Sequence, residues 1–538
     1  MTQVKLILTL LFLGMGVFTI SAQDLSKGTL TGSFQSDFQY YIDDSVSNKF
    51  DAVPPEERIG TNTYLNLNYQ IGDFRFGVRY EAYFPSLLGY PSEFDGSGIA
   101  NRFAQYRRGN LEVTAGNFYE QFGSGMLLRA YEQRQLGLDN SIDGARVKYY
   151  FDNKAKVTGL IGKQRDGFSD NDDSRGTVRA FDVEVYLDQT LGWEGNTALT
   201  VGGSYVGKYQ RFAGSTGVPP LVDAFGARFD LLKGGFMLNG EYVRKGPDPG
   251  ALNGGFVNPN LEDGDGVLIN TGYSQKGLAV LLGFKRVNNF DFRSNRSALD
   301  NRLQINYVPA NTTQHTYRLL TLYPYATQVL GEFAFQGDFV YTIPKKSKVG
   351  GKYGTTLTAN YAIAKSVDAE DSWKVGDRTY FQDINFELSR KWSKKVKTIF
   401  KYAYIEYDAT TIEGRPIGLV FSNTFIADVL YKINRKNSLR VELQHLATKN
   451  DRGSWAFALI EYGRSPNWFF FISDELNYGE VNKDKPIHYY NVGAAYSKGA
   501  NRVSLSWGRQ RFGLVCVGGV CRIVPEYSGL SLSVTSSF

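Results

Sequence analysis

Histidine, cysteine and methionine are scarce in this chain of 538 residues, which contains 3 His, 2 Cys and 4 Met. The histidines His315, His445 and His488 lie far apart and match neither a metal-ligand nor a catalytic-triad spacing. The chain also has no G-x-S-x-G segment, which would mark a serine nucleophile. We therefore expect no enzyme activity, no metal and no cofactor.

Long apolar runs are missing after residue 22, so we expect no transmembrane helix in the rest of the chain. The net charge is only +6 and is spread out, which argues against a nucleic-acid-binding surface. Tyr, Phe and Gly are abundant instead, with 35, 37 and 58 residues. This composition is typical of strands joined by tight turns.

The first 22 residues have the pattern of a secretory signal peptide. Lys5 supplies the positive charge, residues 6–20 form the apolar core, and the small residues Ser21 and Ala22 suit cleavage before Gln23. An uncleaved membrane anchor is the alternative. Residues 23–538 are predicted to form a single domain in an oxidising compartment.

Apolar and polar residues alternate in short runs along the whole mature chain. In the last run, Leu530, Leu532 and Val534 alternate with serine and threonine. Successive side chains of a strand point to opposite faces, so each run predicts a strand with one apolar and one wet face. A soluble sandwich is the alternative, but a sandwich rarely needs so many strands in one domain.

The connections between these runs are long and short in turn. This alternation predicts an all-β transmembrane antiparallel up-and-down β-barrel, with short turns at one end and long loops at the other. Counting the runs gives about 24 strands, within a range of 18 to 26, and a barrel of this size needs one or more loops folded into its lumen. The clearest short connections are 72–73, 108–109 and 152–153, and the clearest long ones are 43–60, 85–98, 119–139, 247–266 and 289–330.

The carboxy-terminal run ends on the aromatic residue Phe538. It resembles the closing strand of bacterial outer-membrane β-barrels, in which the final aromatic residue is commonly the assembly signal. The resemblance implies that Phe538 has this role and that the protein lies in the cell outer membrane. It also implies three partners, namely the barrel-assembly machinery, outer-membrane lipid and lipopolysaccharide.

The segment 113–149 resembles substrate-selective porins and alginate-export-type barrels, in which the corresponding loop folds inward and narrows the pore. The wider sequence, including Y-E-A-Y at 80–83 and G-I-A-N-R at 98–102, resembles uncharacterised outer-membrane barrels of Bacteroidota. That resemblance implies a fold and a location but no activity. The positions that match the porin-type pattern are Gly116, Gly123, Gly125, Arg129, Asp143 and Gly144.

The charged residues of the loop 119–139 permit two interpretations. They form a pore constriction whose field selects solutes by charge, or they pair with wall charges such as Arg79 and Glu81 and pin the loop. The candidate constriction residues are Glu120, Arg129, Glu132 and Arg134.

Three further segments are candidates for binding or bonding. Cys516 and Cys521 flank V-G-G-V, which predicts a hairpin closed by a disulfide at the outer rim. The acidic runs 166–173 and 262–265 suit either a Ca²⁺ site or, as we expect, solvated loops. The segment 289–330 is too long for a plain connector and suits a glycan or anion site, a second plug, or a docking surface.

These features together predict a porin-like channel for the passive diffusion of small hydrophilic solutes. The alternative is a non-conducting barrel that acts as a structural or assembly subunit of a larger cell-envelope complex, with an envelope protein as its partner.

Overall fold

A computed structural model describes residues 28–44, 56–168, 176–193, 195–211, 218–249, 261–479 and 486–538. The predicted signal peptide, residues 1–22, lies outside the described residues, as does most of the acidic run 166–173. Within the described ranges, no helix has the length and apolar character needed to cross a membrane.

Twenty-four strands form one continuous sheet. In chain order they are β1 Thr29–Ile42, β2 Ile59–Ile71, β3 Phe74–Tyr83, β4 Gly96–Arg108, β5 Leu111–Phe118, β6 Ile142–Phe151, β7 Ala155–Gln164, β8 Thr177–Tyr186, β9 Thr197–Tyr209, β10 Leu221–Lys233, β11 Phe236–Lys245, β12 Gly264–Gln275, β13 Leu278–Asn288, β14 Gly331–Ile343, β15 Thr355–Val367, β16 Val375–Lys391, β17 Val396–Asp408, β18 Leu419–Lys432, β19 Asn437–Ala447, β20 Trp455–Arg464, β21 Trp468–Asn477, β22 Ile487–Lys498, β23 Asn501–Gln510 and β24 Tyr527–Ser537.

Each strand pairs antiparallel with the strands before and after it, and β1 also pairs with β24. In this closing pair Tyr40 lies opposite Leu530. Gly32 and Phe538 extend it by exchanging two backbone hydrogen bonds of 2.8 and 2.9 Å. The sheet is therefore a closed barrel, and the predicted all-β up-and-down architecture of about 24 strands is confirmed.

The two ends of the barrel differ in the length of their connections. At one end, β2 turns into β3 through residues 72–73 and β4 turns into β5 through residues 109–110. Gly72 and Gly109 have φ angles of +54° and +56° in these turns, which glycine adopts without steric cost. The longest connections, including 119–141 and 289–330, leave the opposite end, called here the loop end, and the longest at the turn end are 187–196 and 344–354. Because the strand number is even, β1 begins and β24 ends at the turn end.

The outer surface of the barrel is apolar, as expected of a surface that contacts lipid. Leu505, Ile472 and Phe425 are 47%, 56% and 55% exposed, whereas a water-soluble protein buries most such side chains. Aromatic rings cluster near the turn end, where Trp468 packs on Tyr496 with ring centroids 4.7 Å apart. Such a band bordered by aromatic residues suits the hydrocarbon layer and its interface.

We predict that Leu505→Arg destabilises the barrel in lipid by about 2–4 kcal/mol, because Leu505 lies on the outer face at the middle of β23. The matched control is Ser504→Arg on the same strand, whose side chain points into the lumen. The free energy of unfolding from lipid vesicles, measured by urea titration, compares the two variants. Equal losses would contradict the assignment of the two faces.

Candidate functional site

The loop 119–141 between β5 and β6 turns back into the lumen. Its first part is a short hairpin in which Glu120–Phe122 pairs with Leu128–Ala130. Gly123 and Gly125 lie in the turn with φ angles of +53° and +95°, a region that other residues rarely adopt. A second short hairpin follows directly. The predicted inward fold of this loop is therefore what the structure shows.

The apolar side of this loop faces the inner wall. Phe122, Met126 and Leu127 are at most 1% exposed. Because these side chains pack against wall residues of similar character, the contact excludes water from this half of the lumen. The wall residues of this contact, on β8 to β13, are Val178, Val206, Val222, Ala224, Val243, Leu268 and Val287.

The segment 289–330 fills the rest of the lumen at the same level. Phe290 and Phe292 join the cluster around Met126, while Leu319 and Leu320 pack against the wall of β14 to β22. A second plug was one of the three interpretations of this segment from the sequence, and in the structure the segment lies in the lumen. The wall residues of the second contact include Ala334, Ala364, Phe381, Ile405, Val420, Leu446, Trp455 and Tyr489.

These two segments, residues 119–141 and 289–330, are called here the lumen plug. They are joined to each other by the Arg129 side chain and by the backbone. The Arg129 guanidinium lies between the rings of Tyr131 and Tyr307, 4.3 and 4.1 Å from their centroids. Its backbone N–H donates to the Ile305 carbonyl at 2.8 Å. Since a cation between two aromatic faces is held by both, Arg129 fastens one plug segment to the other.

The predicted constriction residues do not meet in one ring. Glu120 pairs with Arg146 at 3.0 Å and with Lys148 at 2.7 Å, both on the wall strand β6. Arg129 contacts the other plug segment instead. Glu132 and Arg134 contact other wall strands, as described next. The geometry is that of the pinning interpretation, with each charge held by its own partner.

Glu132 and Arg134 pair with each other at 2.8 Å and also contact the wall on β1 to β3. Glu132 accepts from Arg79 at 3.1 Å, as the pinning interpretation expects of that wall residue. Arg134 donates to the side chain of Gln35 at 2.6 Å and lies 4.0 Å from the centroid of the Tyr64 ring. The loop is therefore anchored on both β6 and the first three strands.

A buried ion network lies behind these pairs. Arg79 forms an ion pair with Glu81 at 2.7 Å and also contacts Asp139. Arg165 donates to Glu81 at 2.7 Å and to Asp139 at 2.5 Å. Tyr119 donates to the remaining oxygen of Asp139 at 3.1 Å. Two guanidinium groups and two carboxylates therefore lock the end of the plug loop to the wall.

Burial alone would raise the pKa of Asp139, but Arg165 and Arg79 more than offset it and hold that pKa below its usual range. Because the folded pKa is lower than the unfolded pKa of about 4, ionised Asp139 stabilises the fold above that pH. This contribution is lost as the pH falls below about 4.

Three carboxylates of this region, Glu81, Glu132 and Asp139, have oxygen atoms within 4.8 Å of one another. Such a group suits a cation. Here Arg79 contacts all three carboxylates and Arg165 contacts two of them. The guanidinium groups already supply the positive charge that these carboxylates need, so we interpret the cluster as an ion-pair network rather than as a metal centre.

We predict that Asp139→Asn destabilises the protein by about 3–5 kcal/mol, because it leaves Arg79 and Arg165 with an excess of buried positive charge. The control is Asp143→Asn, whose partner Arg102 is exposed and lies 3.2 Å away, so its loss should stay below about 1 kcal/mol. Urea unfolding in detergent micelles measures both. A loss for Asp139→Asn no larger than that of the control would show that the network does not hold the plug.

The disulfide hairpin lies against the plug instead of standing free at the rim. Gly513–Val517 pairs with Val520–Val524, and Cys516 and Cys521 are joined by a disulfide. The Tyr307 hydroxyl donates to the Gly518 carbonyl at 2.6 Å. The hairpin is thus a third element that fills the loop end.

A cavity of about 1190 Å³ lies at the loop end between the plug, the hairpin and the neighbouring loops. Some of its charged residues are held by ion pairs with carboxylates behind the lining. Arg302 pairs with Asp166 at 2.7 Å, and Arg415 pairs with Asp451 at 2.6 Å. The Tyr90 ring and other side chains complete the lining. This cavity is called here the vestibule, and it can admit a solute as far as the plug.

Sequence reasoning missed another set of buried ions that tie the plug to the wall. Lys208 on β9 and Arg296 of the plug share the carboxylate of Asp248, with 2.6 Å between Arg296 and Asp248. Lys285 on β13 pairs with Glu332 on β14 at 2.7 Å. These partners are 40 or more residues apart along the chain, so no local motif marks them.

The three histidines lie in separate places, as their spacing suggested. His315 of the plug contacts Asp383 at 2.8 Å inside the lumen. His445 contacts the Tyr478 hydroxyl at 2.6 Å on the outside of the barrel. His488 contacts Asp474, which lies on the neighbouring strand and also faces outward. They are therefore not parts of one site.

The geometry defines a class of protein: a closed 24-strand β-barrel whose lumen is occupied by its own loops. The whole chain, residues 1–538, matches the model of a family of unknown function, DUF6029, and the chain belongs to that family. No curated protein matches the sequence.

Several solved structures of outer-membrane barrels are similar at low identity. The translocation pore of the P pilus usher PapC is 8% identical, with 94% of this chain and 99% of that chain covered and a TM-score of 0.41. The siderophore receptor PirA from Pseudomonas aeruginosa is 9% identical, with 95% and 80% covered and a TM-score of 0.43. OpdL from Pseudomonas aeruginosa is 12% identical, with 76% and 94% covered and a TM-score of 0.37. The likeness is one of fold.

Proposed function

We propose that this protein lies in the outer membrane and mediates the passage of a hydrophilic solute, with a lumen that its own plug closes at rest. The observation that carries the proposal is the apolar contact between the plug and the inner wall. The wall is buried against the plug from β8 to β13 by the first plug segment and from β14 to β22 by the second. A permanently open porin would instead keep a water-filled channel at this level.

Two features support an outer-membrane location. The barrel closes on itself, so its backbone hydrogen bonds are satisfied without water. The apolar outer band and the aromatic border near the turn end suit a bilayer. The predicted signal peptide agrees with export.

Two features support passage over a purely structural role. The vestibule at the loop end reaches the plug, and its mixed lining includes charged side chains such as Arg302 and Arg415. On the other side of the plug, lumen-facing residues near the turns, such as Asn66, Asn68 and Gln70, are polar and at least partly exposed. Water-accessible space therefore lies on both sides of the plug, and displacement of the plug would connect the two.

We predict that the purified wild-type protein gives little or no steady current in planar bilayers, whereas deletion of residues 291–328 gives discrete channels. The deletion is geometrically permitted because the Phe290 N–H donates to the Val329 carbonyl at 2.8 Å, so a short turn can join these positions. The control deletes residues 369–373, part of a short loop at the loop end that lies outside the plug. Its current should match that of the wild type.

Two results would contradict this proposal. Wild-type channels as large as those of the deletion variant would favour the passive porin predicted from the sequence. Absence of current from a folded deletion variant would favour the non-conducting subunit of an envelope complex. Heat-dependent migration on a gel shows whether that barrel is folded.

A further inference from the structure

A smaller cavity, of about 320 Å³, lies beneath the disulfide hairpin and borders the vestibule at Leu514 and Gly519. Its walls are residues 310–325 of the plug, the end of β23 and the hairpin itself. Its volume is in the range of small-molecule sites. Gln314 and Thr316 at its border are exposed, so water and solutes can reach it.

Basic side chains line this cavity. They belong to Arg318, Arg511 and His315, and none of the described residues that line it is Asp or Glu. One carboxylate, that of Glu475, stands behind the two arginines and accepts from Arg318 at 2.8 Å and from Arg511 at 2.7 Å. At this part of the wall Arg318 and Arg511 carry one more charge than Glu475 compensates, while the carboxylate of Asp383 stands behind His315.

This excess charge is held in a buried place. The Arg511 side chain is 5% exposed. Burial lowers the pKa of Arg511 to about 10, against the opposing effect of Glu475, so the group is still charged at neutral pH. A buried cation whose charge is only partly compensated is stabilised by an anion beside it.

His315 adds an unpaired polar atom to the same wall. Its Nε2 lies 2.8 Å from the carboxylate of Asp383, and because a carboxylate only accepts, Nε2 is the donor. Its Nδ1 is buried and has no hydrogen-bond partner among the described residues, and the same holds for the Thr313 hydroxyl. The His315 side chain is 6% exposed. Buried polar atoms without a partner are rare, so both atoms point to a bound group.

The opposite wall is apolar and is formed by the hairpin. Leu514, Val515 and Val524 line it, with Phe381 of β16 close by. A small inorganic ion would leave this wall without contact. A molecule with an anionic group and an apolar body would contact both walls.

We propose that this cavity binds a small organic anion, with its carboxylate against Arg318 and Arg511 and its apolar body against the hairpin. This proposal rests on the proposed function and names a class of solute for it. Its test does not require conduction. The cavity is called here the anion cavity.

The test is calorimetric titration of the detergent-purified full-length protein with benzoate, its neutral analogue benzamide, and inorganic phosphate. Benzoate should bind at least about tenfold more tightly than benzamide, because only benzoate carries the charge that Arg318 and Arg511 can pair with. Phosphate should bind more weakly than benzoate, because it makes no contact with the apolar wall. This comparison uses the wild-type protein alone and so does not depend on the folding of any variant.

The matched variants are Arg318→Gln, which removes one charge from the anion cavity, and Arg302→Gln, which removes a similarly paired and half-buried charge from the vestibule. Arg318→Gln should weaken benzoate binding by about tenfold or more, and Arg302→Gln should change it by less than about twofold. Migration on an unheated gel verifies that both barrels are folded.

Three results would overturn the anion cavity: no benzoate binding at millimolar concentration, phosphate binding that exceeds benzoate binding, or equal losses in the two variants. The outcome is separable from that of the conductance experiment. Benzoate binding to a protein whose deletion variant stays silent would contradict passage and leave the anion cavity supported. Current through the deletion variant without benzoate binding would support passage and contradict the anion cavity.

Discussion

The hydrogen-bonded pairing of the first strand with the last is the interaction on which the rest of the structure depends. An open sheet of 24 strands would leave two edges of unpaired N–H and C=O groups, which a lipid environment cannot satisfy. The chain end takes part directly, since Phe538 pairs with Gly32 and its ring lies over that residue. A side chain at Gly32 would start 2.4 Å from the ring, so glycine makes room for the closure.

Closure of so many strands creates a lumen far wider than wall side chains can fill. The protein fills it with long loops, and the wall is adapted to them. At the level of the plug the inward positions carry valine, alanine and leucine, whereas a water-filled barrel carries polar residues there. Nearer the turns the same strands carry charged residues at inward positions, such as Asp182 and Glu184 on β8 and Arg228 on β10. The change of character along the same strands indicates that the plug belongs to the native fold.

Apolar contact and ion pairing have different roles in holding the plug. The apolar contact excludes water but has little directional preference, so it does not by itself define one position for the loops. The paired charges do, because Arg79, Arg165 and Asp139 fit only one arrangement, and each becomes an uncompensated buried charge if the loop moves. Where the pairing is incomplete, as around Arg318 and Arg511, the same reasoning points to a ligand.

The sequence by itself determined the architecture. The strand alternation is a property of neighbouring residues, and the long and short connections follow directly along the chain, so an even-numbered barrel of about 24 strands was predictable. The inward fold of the loop 119–139 was implied by the resemblance of the segment 113–149 to porin-type barrels. The disulfide between Cys516 and Cys521 was also predictable, because only four residues lie between the two cysteines.

Only the tertiary structure decided what the inward loops do. The sequence left open whether Glu120, Arg129, Glu132 and Arg134 form one constriction or pin the loop, and their partners come from β6, β1 to β3 and the other plug segment. Those partners lie up to 178 residues away along the chain, as Tyr307 does from Arg129. The lumen plug, the vestibule and the anion cavity have the same origin. Each is formed by side chains that only the curvature of a closed barrel brings together, and no local pattern encodes such a meeting.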